Sequence, residues 1–125
     1  MINTLLIFLG AGLGGVARYW LSNGVYLLLG RQFPYGTLVV NASGSFLIGL
    51  LFILIMDRAG SMGFQLRSFL LIGFLGGYTT FSSFSIETVN LFESGAWLSA
   101  ILNILLSITI CIGLAWVGVF GGRQL

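Results

Sequence analysis

The chain has 125 residues, of which 58% are hydrophobic and 6% are charged, and its formal net charge is +2. A soluble domain carries about a quarter charged residues, so this composition excludes a domain that covers itself with polar surface in water. The five basic residues are too scattered for a nucleic-acid surface. With no histidine, one cysteine and no nucleotide-binding motif, the sequence offers no constellation for an enzyme.

Four long apolar segments predict an all-α membrane protein with a single four-helix domain over residues 1–125. A bilayer core of about 30 Å needs about 20 mostly apolar residues per helix. The links between the segments are short and leave no room for a soluble domain. The predicted transmembrane helices span residues 2–29, 34–56, 67–92 and 95–121.

The first predicted helix contains one charged residue, Arg18, in an otherwise uncharged segment. At the centre of a bilayer an arginine costs about 2.5–3.5 kcal/mol even on lenient insertion scales. We therefore expect Arg18 to line a water-filled vestibule, where it would raise the local anion concentration.

The second predicted helix carries Thr37 and Asn41, one turn apart. An asparagine amide offers two N–H donors, which suits an anion. The alternative is a hydrogen bond to a neighbouring helix.

The third predicted helix contains the run Gly76-Gly77-Tyr78-Thr79-Thr80-Phe81-Ser82-Ser83-Phe84-Ser85. Glycines and hydroxyl side chains weaken a helix, so we expect a break near its middle. Freed carbonyl oxygens at membrane depth would suit a hard cation such as Na⁺. The alternative is a kinked packing helix whose hydroxyls bond back to their own carbonyls.

Phe81 and Phe84 lie three residues apart, on one face of that helix, and alternate with the hydroxyls of Ser82 and Ser83. Aromatic rings have positive edges that could meet a small anion. The alternative is packing in the core or against lipid. Glu87 follows this run and belongs either at a pore mouth or at the membrane surface.

Asn103, Ser107 and Cys111 recur every four residues on the otherwise aliphatic fourth helix. Such a polar stripe predicts either a pore lining or hydrogen bonds between helices.

The short loops give little preference for one membrane orientation. Arg58, Arg67 and Arg123 lie on the side of the termini and Arg31 lies on the other, which is a weak bias. Two oppositely inserted copies would form an antiparallel dimer with inverted symmetry, and four helices alone make a poor wall around a polar path. We therefore expect an antiparallel, dual-topology homodimer.

Three stretches resemble the CrcB/Fluc family of fluoride channels. They are the run from Gly76 to Ser85, the run Gly36-Thr37-Leu38-Val39-Val40-Asn41, and the glycine-rich stretch from Gly10 to Arg18. Ser83 stands where the family more often has threonine, and Asn103 and Cys111 are not the residue types expected in the helix-four track.

The resemblance implies passive, electrodiffusive export of fluoride by an antiparallel homodimer in the bacterial inner membrane. It implies two pores and a central structural Na⁺ held by the carbonyls of Gly76 and Thr79 from both subunits. Arg18 and Glu87 would belong to the vestibule. The expected pathway residues are Thr37, Asn41, Phe81, Ser82, Ser83, Phe84, Asn103, Ser107 and Cys111.

Two other functions fit a small four-helix chain. A drug exporter of the small multidrug-resistance type needs an ionisable carboxylate deep in the first helix, where this chain has Arg18 and no acid. An assembly subunit of a larger membrane complex would not need polar stripes on three helices.

Overall fold

All of the regular structure in the chain is helical. A computed structural model describes residues Met1–Leu125. Four helical segments are long and apolar enough to cross a membrane, which confirms the predicted multi-pass architecture. Helix α1 covers Ile2–Leu29, α2 covers Tyr35–Arg58 and α6 covers Trp97–Gln124. The third span, Gly60–Glu93, is composite: a 3₁₀ turn (Gly60–Met62), α3 (Gly63–Leu66), a π-helical stretch (Arg67–Leu75), α4 (Gly76–Tyr78) and α5 (Phe81–Glu93).

The links between spans end on residues suited to sharp turns. Gly30 follows α1 and Gly95 lies between α5 and α6, each with φ of 83°, a conformation that favours glycine because it has no Cβ. Pro34 directly precedes α2, where its missing N–H costs no helical hydrogen bond. These turns place consecutive spans side by side.

Helix α1 packs against the third span through glycines. A Cβ at Gly10 would lie 2.8 Å from the Phe74 nitrogen, and one at Gly14 would lie 2.9 Å from the Phe74 carbonyl carbon. From the other side, a Cβ at Gly77 would lie 2.9 Å from the Ala11 Cα. The two backbones therefore approach to a separation that side chains would prevent.

Helices α2 and α6 form a second close pair. A Cβ at Gly49 would lie 3.0 Å from the Val119 nitrogen, and a Cβ at Gly118 would lie 2.8 Å from the Leu50 nitrogen. The molecule is thus built from two glycine-mediated helix pairs that also contact each other.

The backbone of the third span is extended at two residues. Thr79 has φ and ψ of −81° and 157°, and Thr80 has −151° and 120°. The Thr79 N–H still bonds to the Leu75 carbonyl oxygen at 3.0 Å, but neither backbone group of Thr80 makes a helical hydrogen bond. Helix α4 therefore ends at Tyr78, and α5 begins at Phe81 with a new N-terminus.

Most apolar side chains face outward. Only 20 of the 125 residues are buried in the chain, and Val40 and Leu75 lie at the centre of the small core, with 0% and 1% exposure. In water this arrangement would leave much apolar area exposed. It suits a chain whose surroundings are lipid and other protein.

We expect Gly118→Ala to destabilise the fold, because the new Cβ meets the α2 backbone at Phe46 and Leu50. Overpacking of this kind costs about 1–3 kcal/mol. The measurement is thermal unfolding of the full-length protein in detergent.

The matched control is Gly121→Ala, where a Cβ meets nothing within 4 Å and alanine is the better helix former. Equal melting temperatures for the two variants would contradict the close packing of α2 on α6.

Candidate functional site

A polar cavity of about 820 Å³ lies between α1, the start of α2 and α5. Arg18, Arg31 and Glu87 contribute its charged groups. Arg18 is only half-buried and so keeps access to this cavity. Arg18 therefore has polar surroundings although it forms no salt bridge with an acidic side chain.

The Glu87 carboxylate is held inside this cavity by two hydroxyls. The Thr37 hydroxyl donates to Glu87 Oε1 at 2.6 Å, and the Tyr26 hydroxyl donates to Oε2 at 3.0 Å. The Arg31 guanidinium lies 4.7 Å from the centre of the Tyr26 ring, within the range of a cation–π interaction. The single hydroxyl proton of Thr37 is therefore engaged by Glu87.

A second, smaller groove of about 370 Å³ runs between α2, α6 and the part of the third span from Thr79 to Phe84, which is called the interruption below. Asn41 and Ser45 line one wall, Ser107 and Cys111 line another, and none of the lining residues is charged. Thr80 lines both the groove and the polar cavity. The two spaces thus border the same residue of the interruption.

Phe81 and Phe84 lie together in this groove. Their ring centroids are 5.4 Å apart and the ring planes are tilted by 52° to each other. Phe81 remains 79% exposed in the single chain. The groove is accordingly incomplete on the side of this ring.

Asn41 makes two hydrogen bonds to the backbone of the interruption. Its Nδ2 donates to the Thr80 carbonyl oxygen at 2.9 Å, and its Oδ1 accepts from the Thr80 N–H at 2.8 Å. The second Nδ2 hydrogen of Asn41 takes part in neither of these two bonds.

The start of α5 is capped by Thr80. Its Oγ1 accepts from the Ser83 N–H at 3.1 Å and lies 3.3 Å from the Ser82 Oγ. Ser83 lines the polar cavity, whereas Ser82 is exposed outside both spaces. The two serines of the predicted pathway therefore occupy different environments.

Asn103 is 2% exposed and lies in neither space. Its Nδ2 donates to Thr88 Oγ1 at 2.9 Å, and Thr88 in turn donates to the Phe84 carbonyl oxygen at 2.7 Å. Ser107 donates to Asn103 Oδ1 at 3.3 Å. Of the predicted stripe on α6, Ser107 and Cys111 reach the groove, and Asn103 links α6 to α5.

The carbonyl groups of Gly76 and Thr79 have no hydrogen-bond donor in the chain. The extended residues remove their helical partners, and no side chain replaces these. Carbonyl oxygens of this kind are the ligands that hard cations prefer.

Three residues of this region were not predicted as site residues. Tyr26 and Thr88 bond to predicted residues, and Thr80 joins the two spaces. The sequence could have indicated the Thr88 bond, because a threonine hydroxyl in a helix often donates to the carbonyl oxygen four residues earlier, here that of Phe84. The partnership of Tyr26 with Glu87 joins residues 61 positions apart and has no local signal.

Comparison with known proteins places the chain in a family. A family model described as CrcB-like protein, Camphor Resistance (CrcB), matches residues 5–119. The chain is 63% identical over 124 residues to the fluoride-specific ion channel FluC of Coxiella burnetii (strain Dugway 5J108-111), covering 99% of this chain and 100% of the relative.

Two further relatives bear the same name. The chain is 50% identical over 125 residues to FluC of Geobacter sulfurreducens, covering 100% of both. It is 48% identical over 124 residues to FluC of Methylococcus capsulatus, covering 99% of this chain and 54% of the relative. The resemblance drawn from the sequence motifs is confirmed, and the chain belongs to the CrcB family.

Proposed function

We propose that this chain forms a fluoride-selective channel through which fluoride leaves the cytoplasm passively. The observation that carries the proposal is the groove in which the ring pair of Phe81 and Phe84 stands near Asn41 and Ser107 with no charged residue. The relatives named fluoride-specific ion channel supply the identity of the ion. The family is one of ion channels, and the chain is not an enzyme.

Fluoride is small and strongly hydrated, so a pore must replace its water with donors that do not hold it too tightly. Ring edges, hydroxyls and one amide hydrogen are individually weak donors. In series they allow the ion to move between sites. In the groove the proposed pathway uses Phe81, Phe84, Ser107, Cys111 and the Nδ2 hydrogen of Asn41 that Thr80 does not take. The other proposed residues lie outside the groove: Thr37 and Ser83 line the polar cavity, and Ser82 and Asn103 line neither space.

The polar cavity is the proposed vestibule of this pathway. Arg18 and Arg31 outnumber Glu87 there, so the local field favours anions. Glu87 is held by Thr37 and Tyr26, which keeps its charge at the wall. Because the groove itself has no cation, an anion drawn into the vestibule is not trapped beyond it.

The functional unit we propose is an antiparallel, dual-topology homodimer with two pathways, in the bacterial inner membrane. The weak arginine bias of the loops permits both orientations. The exposed ring of Phe81 leaves one side of the groove open, and a second copy would supply that wall.

A structural Na⁺ at the centre of the dimer is part of the proposal. The carbonyl oxygens of Gly76 and Thr79, which lack donors, fit a hard cation, and the same pair from a second copy would complete the set. When bound, the ion would neutralise these carbonyl dipoles and hold the two copies together.

The first test is fluoride efflux from liposomes that contain the purified protein, read with a fluoride electrode after addition of a potassium ionophore. We expect rapid efflux that depends on the ionophore, because charge must be balanced, and no chloride efflux under the same conditions. A folded protein without fluoride efflux would overturn the proposal and favour an assembly subunit.

Phe81→Ile and Phe84→Ile should each reduce fluoride efflux to the level of empty liposomes, because isoleucine keeps the apolar volume and removes the ring edge. Phe8→Ile is the matched control, since Phe8 is an exposed aromatic on α1 that lines neither space. Undiminished efflux in both groove variants, with folded protein by gel filtration, would remove the ring-edge pathway.

Dual insertion predicts labelling of any loop from both sides of the membrane. Ser61→Cys and Gln32→Cys, in a Cys111→Ser background, introduce exposed thiols in links on opposite ends of the spans. We expect an impermeant thiol reagent to modify about half of each from either side. The antiparallel dimer would be contradicted if each position were labelled from one side of the membrane only, Ser61→Cys from one side and Gln32→Cys from the other.

A further inference from the structure

The extended residue Thr80 raises a hydrogen-bonding problem that the helix cannot solve. Its N–H and C=O lie at membrane depth between two helices, α4 and α5. Outside a helix, such groups need partners from protein or water. Neither group of Thr80 has a backbone partner in the chain, so its partners must be side chains or water.

The Asn41 amide supplies the two bonds together. The Nδ2 to O distance is 2.9 Å and the N to Oδ1 distance is 2.8 Å. Donor and acceptor of an amide lie in one plane, as they do in a peptide group. The arrangement resembles a single rung of an antiparallel β-ladder, with a side chain of α2 in place of the second strand.

Other side chains at this position would not reproduce the pair. An aspartate keeps the acceptor and lacks the donor, a serine is too short to reach both groups, and a leucine of similar size offers neither. The pairing thus uses the amide itself rather than its polarity alone.

We infer that Asn41 is a positioning residue, which holds Thr80 in its extended conformation and thereby sets the start of α5. Thr80 caps α5 through Ser83, and Phe81 and Phe84 follow on the first turn of that helix. The orientation of the ring pair therefore depends on a bond made from α2. The effect on conduction rests on the proposed channel function. The pairing of Asn41 with Thr80, called the clamp below, does not depend on that function.

Without the amide, the N–H and C=O of Thr80 lose their only protein partners and bond to water from the polar cavity, which Thr80 lines. The start of α5 is then no longer tied to α2, and the Phe81 ring on its first turn is free to move. Because water reaches Thr80 from the cavity, the change can be read at its amide hydrogen.

The test is hydrogen exchange of the Thr80 amide by nuclear magnetic resonance, on the full-length protein in lipid nanodiscs. In the wild type we expect protection although Thr80 lies outside any helix. In Asn41→Leu we expect exchange to accelerate about tenfold or more, with Val89 in the body of α5 unchanged. In Asn41→Asp the acceptor remains, so protection of the Thr80 N–H should return.

The control variant is Ser43→Ala. Ser43 lies on α2 two residues away and pairs with the Tyr78 hydroxyl at 2.8 Å, so its removal weakens the same helix contact without touching Thr80. Thr80 exchange should stay within about twofold of the wild type there. If Asn41→Leu does not fold, Asn41→Ala carries the same comparison.

Three results would overturn the inference. The first is equal Thr80 exchange in wild type and Asn41→Leu, and the second is an equal acceleration at Thr80 and Val89. The third is accelerated exchange confined to Thr80 with fluoride efflux as in the wild type. If the wild type itself carries no fluoride, the proposed function fails, while the exchange comparison still tests the clamp.

Discussion

Backbone hydrogen bonding at membrane depth is the constraint on which the rest of this structure depends. A span that stays helical satisfies its own N–H and C=O groups, and a span that breaks must find other partners. At Thr79 and Thr80 the third span breaks, although the Thr79 N–H still bonds to the Leu75 carbonyl oxygen. The N–H and C=O of Thr80 are satisfied by Asn41. The carbonyls of Gly76 and Thr79 are left without donors. The same interruption thus creates a hydrogen-bonded joint between α2 and the third span, a new helix N-terminus and carbonyl oxygens without donors.

The charged side chains and the uncharged groove occupy separate spaces around this joint. Arg18, Arg31 and Glu87 face the polar cavity, and the groove beyond Thr80 has no charged lining residue. A full positive charge in a narrow, poorly hydrated groove would bind an anion strongly, since Coulomb interactions grow as the dielectric constant falls. In the proposed channel, weak dipolar donors in the groove would avoid that trap. The separation would let the chain attract anions at the mouth of the pathway and still release them.

The glycine contacts give this arrangement its rigidity. Lipid offers no hydrophobic gain for helix association, so packing must supply it. Gly14 brings α1 onto the third span, and Gly118 brings α6 onto α2. With these pairs fixed, the buried chain from Ser107 through Asn103 to Thr88 ties α6 to α5 close to Phe84. The ring pair is therefore held from α2 on one side and from α6 on the other.

The sequence by itself determined the four membrane spans, the family and the residue types of the candidate site, because apolar length and the motif from Gly76 to Ser85 are local properties of the chain. The sequence did not predict the hydrogen-bond partners. It left Asn41 either facing an anion or bonding to a neighbouring helix, and the fold gives most of its amide to Thr80. It left Asn103 either lining a pore or bonding between helices, and the fold buries it against Thr88. Only the tertiary structure decided these roles, because a donor bonds to whichever acceptor the packing of distant helices brings within reach, and periodicity within one helix does not contain that information.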